Sequence, residues 1–302
     1  MSLPPFFSSP DTLVWMAVPY RFAVCNEIFQ QVPFAEACKQ VRSLGYDGLE
    51  IAPFTLGEDP AVLTAEQRAE LVRIMKGEGL EFVGLHWLLM APEGLHITSR
   101  EEAVRRRSWD YVHKFIDLCA DLAGDEAANH GVLVFGSPKQ RSAVDGITPR
   151  EATDIFTHEL AHAAPHAELR GVKLLVEALP ANQTNIVNCL SEAVSIVKQI
   201  GSPAVQTMFD THNAVDEKDA HTALVRKYLP YIQHVHVNEI DGQEPGMGDY
   251  AFGPLLTALA ELNYSGWVSV EAFDFSRSPQ EIAKRAIDHL KAALPETAQT
   301  IL

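Results

Sequence analysis

Short apolar runs alternate with longer amphipathic stretches along the whole chain. Eight of the runs read as strands: 22–26 (FAVCN), 48–52 (GLEIA), 82–88 (FVGLHWL), 132–136 (VLVFG), 173–178 (KLLVEA), 205–210 (VQTMFD), 233–238 (QHVHVN) and 267–272 (WVSVEA). Most are continuously apolar rather than alternating, as expected of parallel strands covered on both faces. Helical periodicity fills stretches between them, at 64–78, 99–123, 189–200 and 278–293. The first of these opens on TAEQ, a capping-box pattern. One junction recurs, a helix end followed by glycine and then a strand, in SLGYDGLEI, GEGLEFVGLHWLL, ELRGVKLLVEAL and LNYSGWVSVEAF. There glycine is expected to supply the left-handed C-cap.

Eight strand–helix units predict an α/β fold, a (β/α)₈ TIM barrel, as one domain over residues 1–302. A doubly wound open sheet is the alternative. No linker or shift in composition marks a second domain. Segments 91–98 and 137–150 read as longer loops after strands 3 and 4, on the face where barrels carry their sites.

Charge narrows the possible partners. The formal net charge is −16, and a surface this acidic repels phosphate backbones and anionic membranes. The expected partner is therefore a small molecule, with neither nucleic acid nor membrane; homo-oligomerisation stays open. The four cysteines, Cys25, Cys38, Cys119 and Cys189, form no CxxC pair, which fits reduced thiols in the cytoplasm. MSLPPFFSSPD lacks the charged and apolar regions of a secretory signal. No run of about 18 uncharged apolar residues suggests a membrane span.

Four strands of the second half carry a metal-binding side chain near the C-terminal end: Glu177 in LLVEAL, Asp210 in QTMFDTH, His236 in HVHVNEID and Glu271 in WVSVEAF. The steps of 33, 26 and 35 residues each match about one strand–helix unit. An unpaired carboxylate inside an apolar run is costly to bury, but at the C-terminal end of a barrel strand it faces the site. Glu27 and Glu50 occupy the same kind of position. Any one of these acids alone is equally well a structural salt-bridge partner. Jointly, Glu177, Asp210, His236 and Glu271 point to one divalent cation, with Mn²⁺ the first choice and Mg²⁺, Co²⁺ or Zn²⁺ as alternatives. The absence of paired cysteines argues against a structural zinc site.

The ordered Glu–Asp–His–Glu set, with FDTHN at the second ligand and HVHVNEIDG at the third, resembles the xylose-isomerase-like barrel superfamily. Within it the chain resembles the sugar phosphate isomerase/epimerase branch that includes the ketose 3-epimerases; PGMGDYAF is similar to that branch's loop after strand 7. The resemblance implies that Glu177, Asp210, His236 and Glu271 hold the metal. It further implies that Glu177 and Glu271 are the catalytic acid/base pair of an epimerase or isomerase working through a metal-stabilised enediolate. It places His212 near the substrate, although the branch has its histidine one residue further on. The branch also has glutamate where this chain has Gln183, and arginine where it has Gly242.

Other substrate contacts are expected from His86 at the end of strand 3, from Glu50, from Gln183, and from Lys139 and Arg141 in GSPKQR. His86 reads equally as a buried core histidine, Trp87 as a sugar wall or as packing, and the two cations as a solvated loop. Arg105–Arg107, beside Glu101 and Glu102, reads as an ion-paired helix face. From His236 through Ser276 there is no Lys or Arg, which favours a neutral ketose, keto-sugar or polyol-derived substrate over a phosphorylated one. Three further readings remain: a metal-dependent lyase or dehydratase on a keto-sugar or keto-inositol, a DNA-repair AP endonuclease on the same barrel, and a non-catalytic binding barrel.

Overall fold

A computed structural model describes residues 18–124 and 131–294. The expectation for MSLPPFFSSPD lies outside the described residues. The strands are β1 (Arg21–Cys25), β2 (Gly48–Ile51), β3 (Glu81–Leu85), β4 (Val132–Phe135), β5 (Lys173–Val176), β6 (Val205–Asp210), β7 (Ile232–Val237) and β8 (Trp267–Val270). They alternate with α1 (Phe34–Ser43), α2 (Ala65–Glu78), α3 (Glu102–Ala123), α4 (Pro149–Arg170), α5 (Leu190–Ile200), α6 (His221–Tyr228), α7 (Phe252–Glu261) and α8 (Pro279–Ala292). Every neighbouring pair of strands is parallel. The ring closes through β1 and β8, with Arg21 opposite Trp267 and Val24 opposite Val270. That closure decides for the barrel over the open sheet.

Two apolar layers follow from strands buried on both sides. The larger packs the outward strand residues, such as Val24, Leu49 and Val235, against helix residues such as Phe115, Phe156 and Ile287. A separate small cluster of Val132, Val134, Leu175 and Met208 is also buried. Nearer the C-terminal strand ends, Cys25, Glu50, His234, His236 and Ser269 form a buried polar layer.

Local signals act where the pattern places them, with two exceptions. Thr64, Thr148 and Ser278 each complete a capping box at the start of α2, α4 and α8. Gly79 and Gly171 take the left-handed C-cap. After α7 that conformation falls on Asn263, at φ 55°, rather than on Gly266; asparagine tolerates it through its short polar side chain. The apolar run of strand 3 predicts β structure to residue 88, but β3 ends at Leu85. Trp87, at φ 50°, turns the backbone out of the strand while Leu88 and Leu89 stay buried.

The capping boxes yield a stability test. Thr148→Ala and Ser278→Ala each remove a side-chain acceptor for a helix N–H. Each is expected to lower unfolding free energy by about 1 kcal/mol, read as a shift in the urea midpoint at constant slope.

Candidate active site

Four strand ends bring Glu177, Asp210, His236 and Glu271 together. Asp210 is the last residue of β6 and pairs directly with His236 of β7. Glu177 and Glu271 each follow the last residue of their strand, β5 and β8. All four are buried, and their candidate ligand atoms lie within 4.8 Å of one another. His236 Nδ1 lies 3.2 Å from Glu271 Oε2 and 3.6 Å from Asp210 Oδ2, yet makes no hydrogen bond.

The other nitrogen of His236 is already engaged. Nε2 lies 3.0 and 3.1 Å from the two oxygens of Glu50. Glu50 Oε2 also meets His234 Nε2 at 2.8 Å, and Cys25 Sγ donates to it at 3.6 Å. His234 and His236 are two apart on β7 and so point to the same side of the strand. Although burial opposes ionisation, the two imidazoles hold the Glu50 carboxyl well below the usual carboxylate range. A carboxylate that accepts from Nε2 fixes the ring and aims Nδ1 at the carboxylates, the usual support of a metal-ligating histidine. Although burial opposes it, Glu50 and Glu271 hold the His236 imidazole well above its ordinary range, so a cation would take the place of the Nδ1 proton. A second buried pair, His86 Nε2 with Glu27 Oε2 at 2.9 Å, sits beside this layer.

Glu177 is positioned from three sides. Arg141, fully buried, donates through Nη1 to the Phe135 and Glu177 carbonyl oxygens at 2.6 and 2.7 Å. Asn213 Nδ2 donates to Glu177 Oε1 at 2.9 Å, while the Asn213 backbone N–H donates to Asp210 Oδ1 at 2.7 Å. Gly136 lies so close that a Cβ there would collide with the Glu177 carboxylate. Burial, Asp210 and Glu271 together push the Glu177 carboxyl up to about 8. A divalent cation would relieve that crowding. Nδ1 of His236, the three carboxylates and the buried setting all fit one bound by oxygen and imidazole.

A cavity of about 250 Å³ opens onto this group. Glu177, Glu271, Asn213 and Gln183 line it, together with Lys139, Trp87, Met90, Leu179 and Phe273. A larger cleft of about 730 Å³ lies at the N-terminal strand ends, near Arg21, Glu81 and Trp267, and contains none of the clustered ligand side chains.

The expected substrate contacts therefore separate. Lys139 and Gln183 reach the cavity. His212 stands behind Gln183: its Nδ1 donates to the Ile240 carbonyl at 2.7 Å, so Nε2 accepts from the Gln183 amide at 3.2 Å. Glu50, His86 and Arg141 are not among the lining residues. Glu50 and His86 find their partners inside the barrel, beneath the candidate ligands, while Arg141 is turned to the Phe135 and Glu177 carbonyls at the ends of β4 and β5. Asn213, Gly136 and His234, which are not among the expected site residues, complete the site. Each stands in one of the motif segments, FDTHN, GSPKQR and HVHVNEIDG, but only the contacts across the fold give it a role.

A family profile described as xylose isomerase-like TIM barrel matches residues 38–293. The chain belongs to that family. Among curated proteins it is 26% identical over 239 residues to a probable ketose 3-epimerase of Synechocystis sp., covering 76% of this chain and 75% of that protein. It is 23% identical over 246 residues to the D-psicose 3-epimerase of Agrobacterium fabrum, covering 80% and 79%. Among solved structures, a D-psicose 3-epimerase from Clostridium cellulolyticum H10 superposes with a TM-score of 0.77 at 20% identity, over 90% of this chain and 99% of that one.

Two substitutions test the support of the ligands. Glu50→Gln keeps the size of the side chain but removes its charge, and is expected to weaken Mn²⁺ binding by about 10–100-fold in calorimetric titration. Gly136→Ala is expected to weaken it comparably by displacing the Glu177 carboxylate; unchanged affinity in either variant would refute the role given to that residue.

Proposed function

We propose that this protein is a divalent-metal-dependent epimerase or isomerase of a small, non-phosphorylated carbohydrate. One observation carries the reading: Glu177 and Glu271 belong to the ligand cluster and also line the same cavity, one from β5 and one from β8. Two carboxylates reaching one cavity from different strands can serve one carbon from both faces. One removes the proton next to a carbonyl, the other returns a proton on the opposite face, and the centre inverts. When bound, a divalent cation supplies electrostatic stabilisation for negative charge on the neighbouring oxygens; Mn²⁺ suits this donor set. The relatives named as ketose 3-epimerases support the same chemistry.

The neutral substrate rests on the cavity itself. Apart from the two glutamates, Lys139 is the one charged lining residue among the described residues, and it is exposed. Arg277, the first Lys or Arg after the stretch from His236 through Ser276, is paired with Glu244 at 2.7 Å. The four cysteines are free thiols, in keeping with a cytoplasmic enzyme. No helix of the described residues is long and apolar enough to cross a membrane.

The reading predicts deuterium at the inverted carbon when a panel of ketoses and 3-keto-sugars is turned over in D₂O and followed by NMR. Loss of water or of a substituent would instead indicate elimination. Glu177→Gln and Glu271→Gln are each expected to lower kcat by about 10²–10⁴-fold with metal content checked separately. EDTA treatment should abolish turnover and Mn²⁺ should restore it.

A further inference from the structure

The cavity has two chemically different ends. At the buried end Glu177 and Glu271 stand beside two amides, Gln183 and Asn213. Toward solvent one wall becomes Trp87, Met90, Pro138 and Phe273, and the polar Ser137, Lys139 and Gln140 also line the cavity. Met90 is 47% exposed, so this apolar surface reaches the mouth.

The outer wall is built rather than incidental. Trp87 stacks on Phe273 with centroids 5.9 Å apart and on Phe54 at 5.8 Å, joining three rings from the loops after β2, β3 and β8. The indole is set by a residue at φ 50°, a conformation that non-glycine residues seldom adopt. Phe273 has its seat at Gly242, φ 83°, where a Cβ would strike the ring. The Phe273 N–H donates to the Gly242 carbonyl at 2.8 Å. A sugar lying along Met90, Trp87 and Phe273 would press its hydroxyls against ring and thioether surface, which offers them few partners beyond the one indole N–H. An apolar group there gains instead by leaving water.

Building on the proposed epimerase reading, we propose that the substrate is a keto-sugar bearing an apolar substituent of the aryl-glycoside kind. Its carbonyl sugar faces Glu177 and Glu271, and its aglycone lies along Trp87, Met90 and Phe273.

Two measurements on the Mn²⁺-loaded protein test this. Calorimetric binding compares phenyl β-D-glucoside with methyl β-D-glucoside, and D₂O exchange compares phenyl 3-keto-β-D-glucoside with free 3-keto-D-glucose. The phenyl compound is expected to lead by about 10-fold or more in each. Trp87→Ala, and separately the exposed Met90→Ser, should bring the phenyl-to-methyl binding ratio toward one. Equal binding of the two glucosides, or a ratio that neither variant moves, overturns the inference whether or not exchange is seen. Exchange with free 3-keto-D-glucose as fast as with its phenyl glycoside overturns it while leaving the epimerase reading intact. Selective phenyl binding without exchange of any sugar supports the subsite and refutes the epimerase reading.

Discussion

Negative charge buried at one end of a closed barrel is the constraint on which this structure turns. Glu27, Glu50, Glu177, Asp210 and Glu271 are all removed from solvent at the C-terminal strand ends. Carboxylates in so dry a setting need counter-charges or donated hydrogen bonds. The chain supplies these unevenly. Glu50 receives two imidazoles, Glu27 receives one, and Asp210 a backbone N–H. Glu177 receives a single amide and remains crowded by Asp210 and Glu271. The repulsion centres on the side chains around Nδ1 of His236 and extends to Glu27, which burial and Glu271 also push up. A site for a cation is thus defined both by what is paired around it and by what is left unpaired.

Order within that site comes from its supports. Glu50 engages Nε2 of His236 and so directs Nδ1 toward the carboxylates. Asn213 links two of the ligands across adjacent loops. Arg141, held at the Phe135 and Glu177 carbonyls, joins the ends of β4 and β5 at the backbone. Burial pushes its guanidinium down to about 10, which still leaves it a cation near neutral pH. Glu50, His234 and His236 sit on strands, Asn213 and Arg141 on the loops just after β6 and β4, and Trp87 and Phe273 on the loops after β3 and β8. The buried polar layer is thus carried on strands, and the cavity wall above it on loops.

The departures from the epimerase pattern have a physical account. Where that pattern has glutamate, Gln183 donates its amide to His212, a hydrogen bond that a carboxylate could not make to a neutral Nε2. Where it has arginine, Gly242 takes a positive φ and makes room for the Phe273 ring. Both changes remove a charged side chain, one from the cavity lining at Gln183 and one from beside the Phe273 ring.

Much of this was legible along the chain. Continuous apolar runs separated by helical periodicity specify parallel strands under helices, because both faces of each strand must be buried. Acids at the ends of such runs stand out for the same reason, so Glu177, Asp210, His236 and Glu271 could be grouped before any coordinates. Depth could not be read. Glu50 and His86 carry the same signature as the residues that reach the cavity, a charged or polar group near a strand end, and Arg141 shares a loop with Lys139; only the folded barrel shows which of them lie beneath or beside the cavity. Glycine at 136 and asparagine at 213 gain their roles from neighbours 41 and 36 residues away. Periodicity and residue chemistry are local properties that a sequence carries by itself. Which nitrogen of a histidine is free, which carboxylate is crowded and which ring lies over a glycine depend on contacts between distant segments, and only the folded barrel decides them.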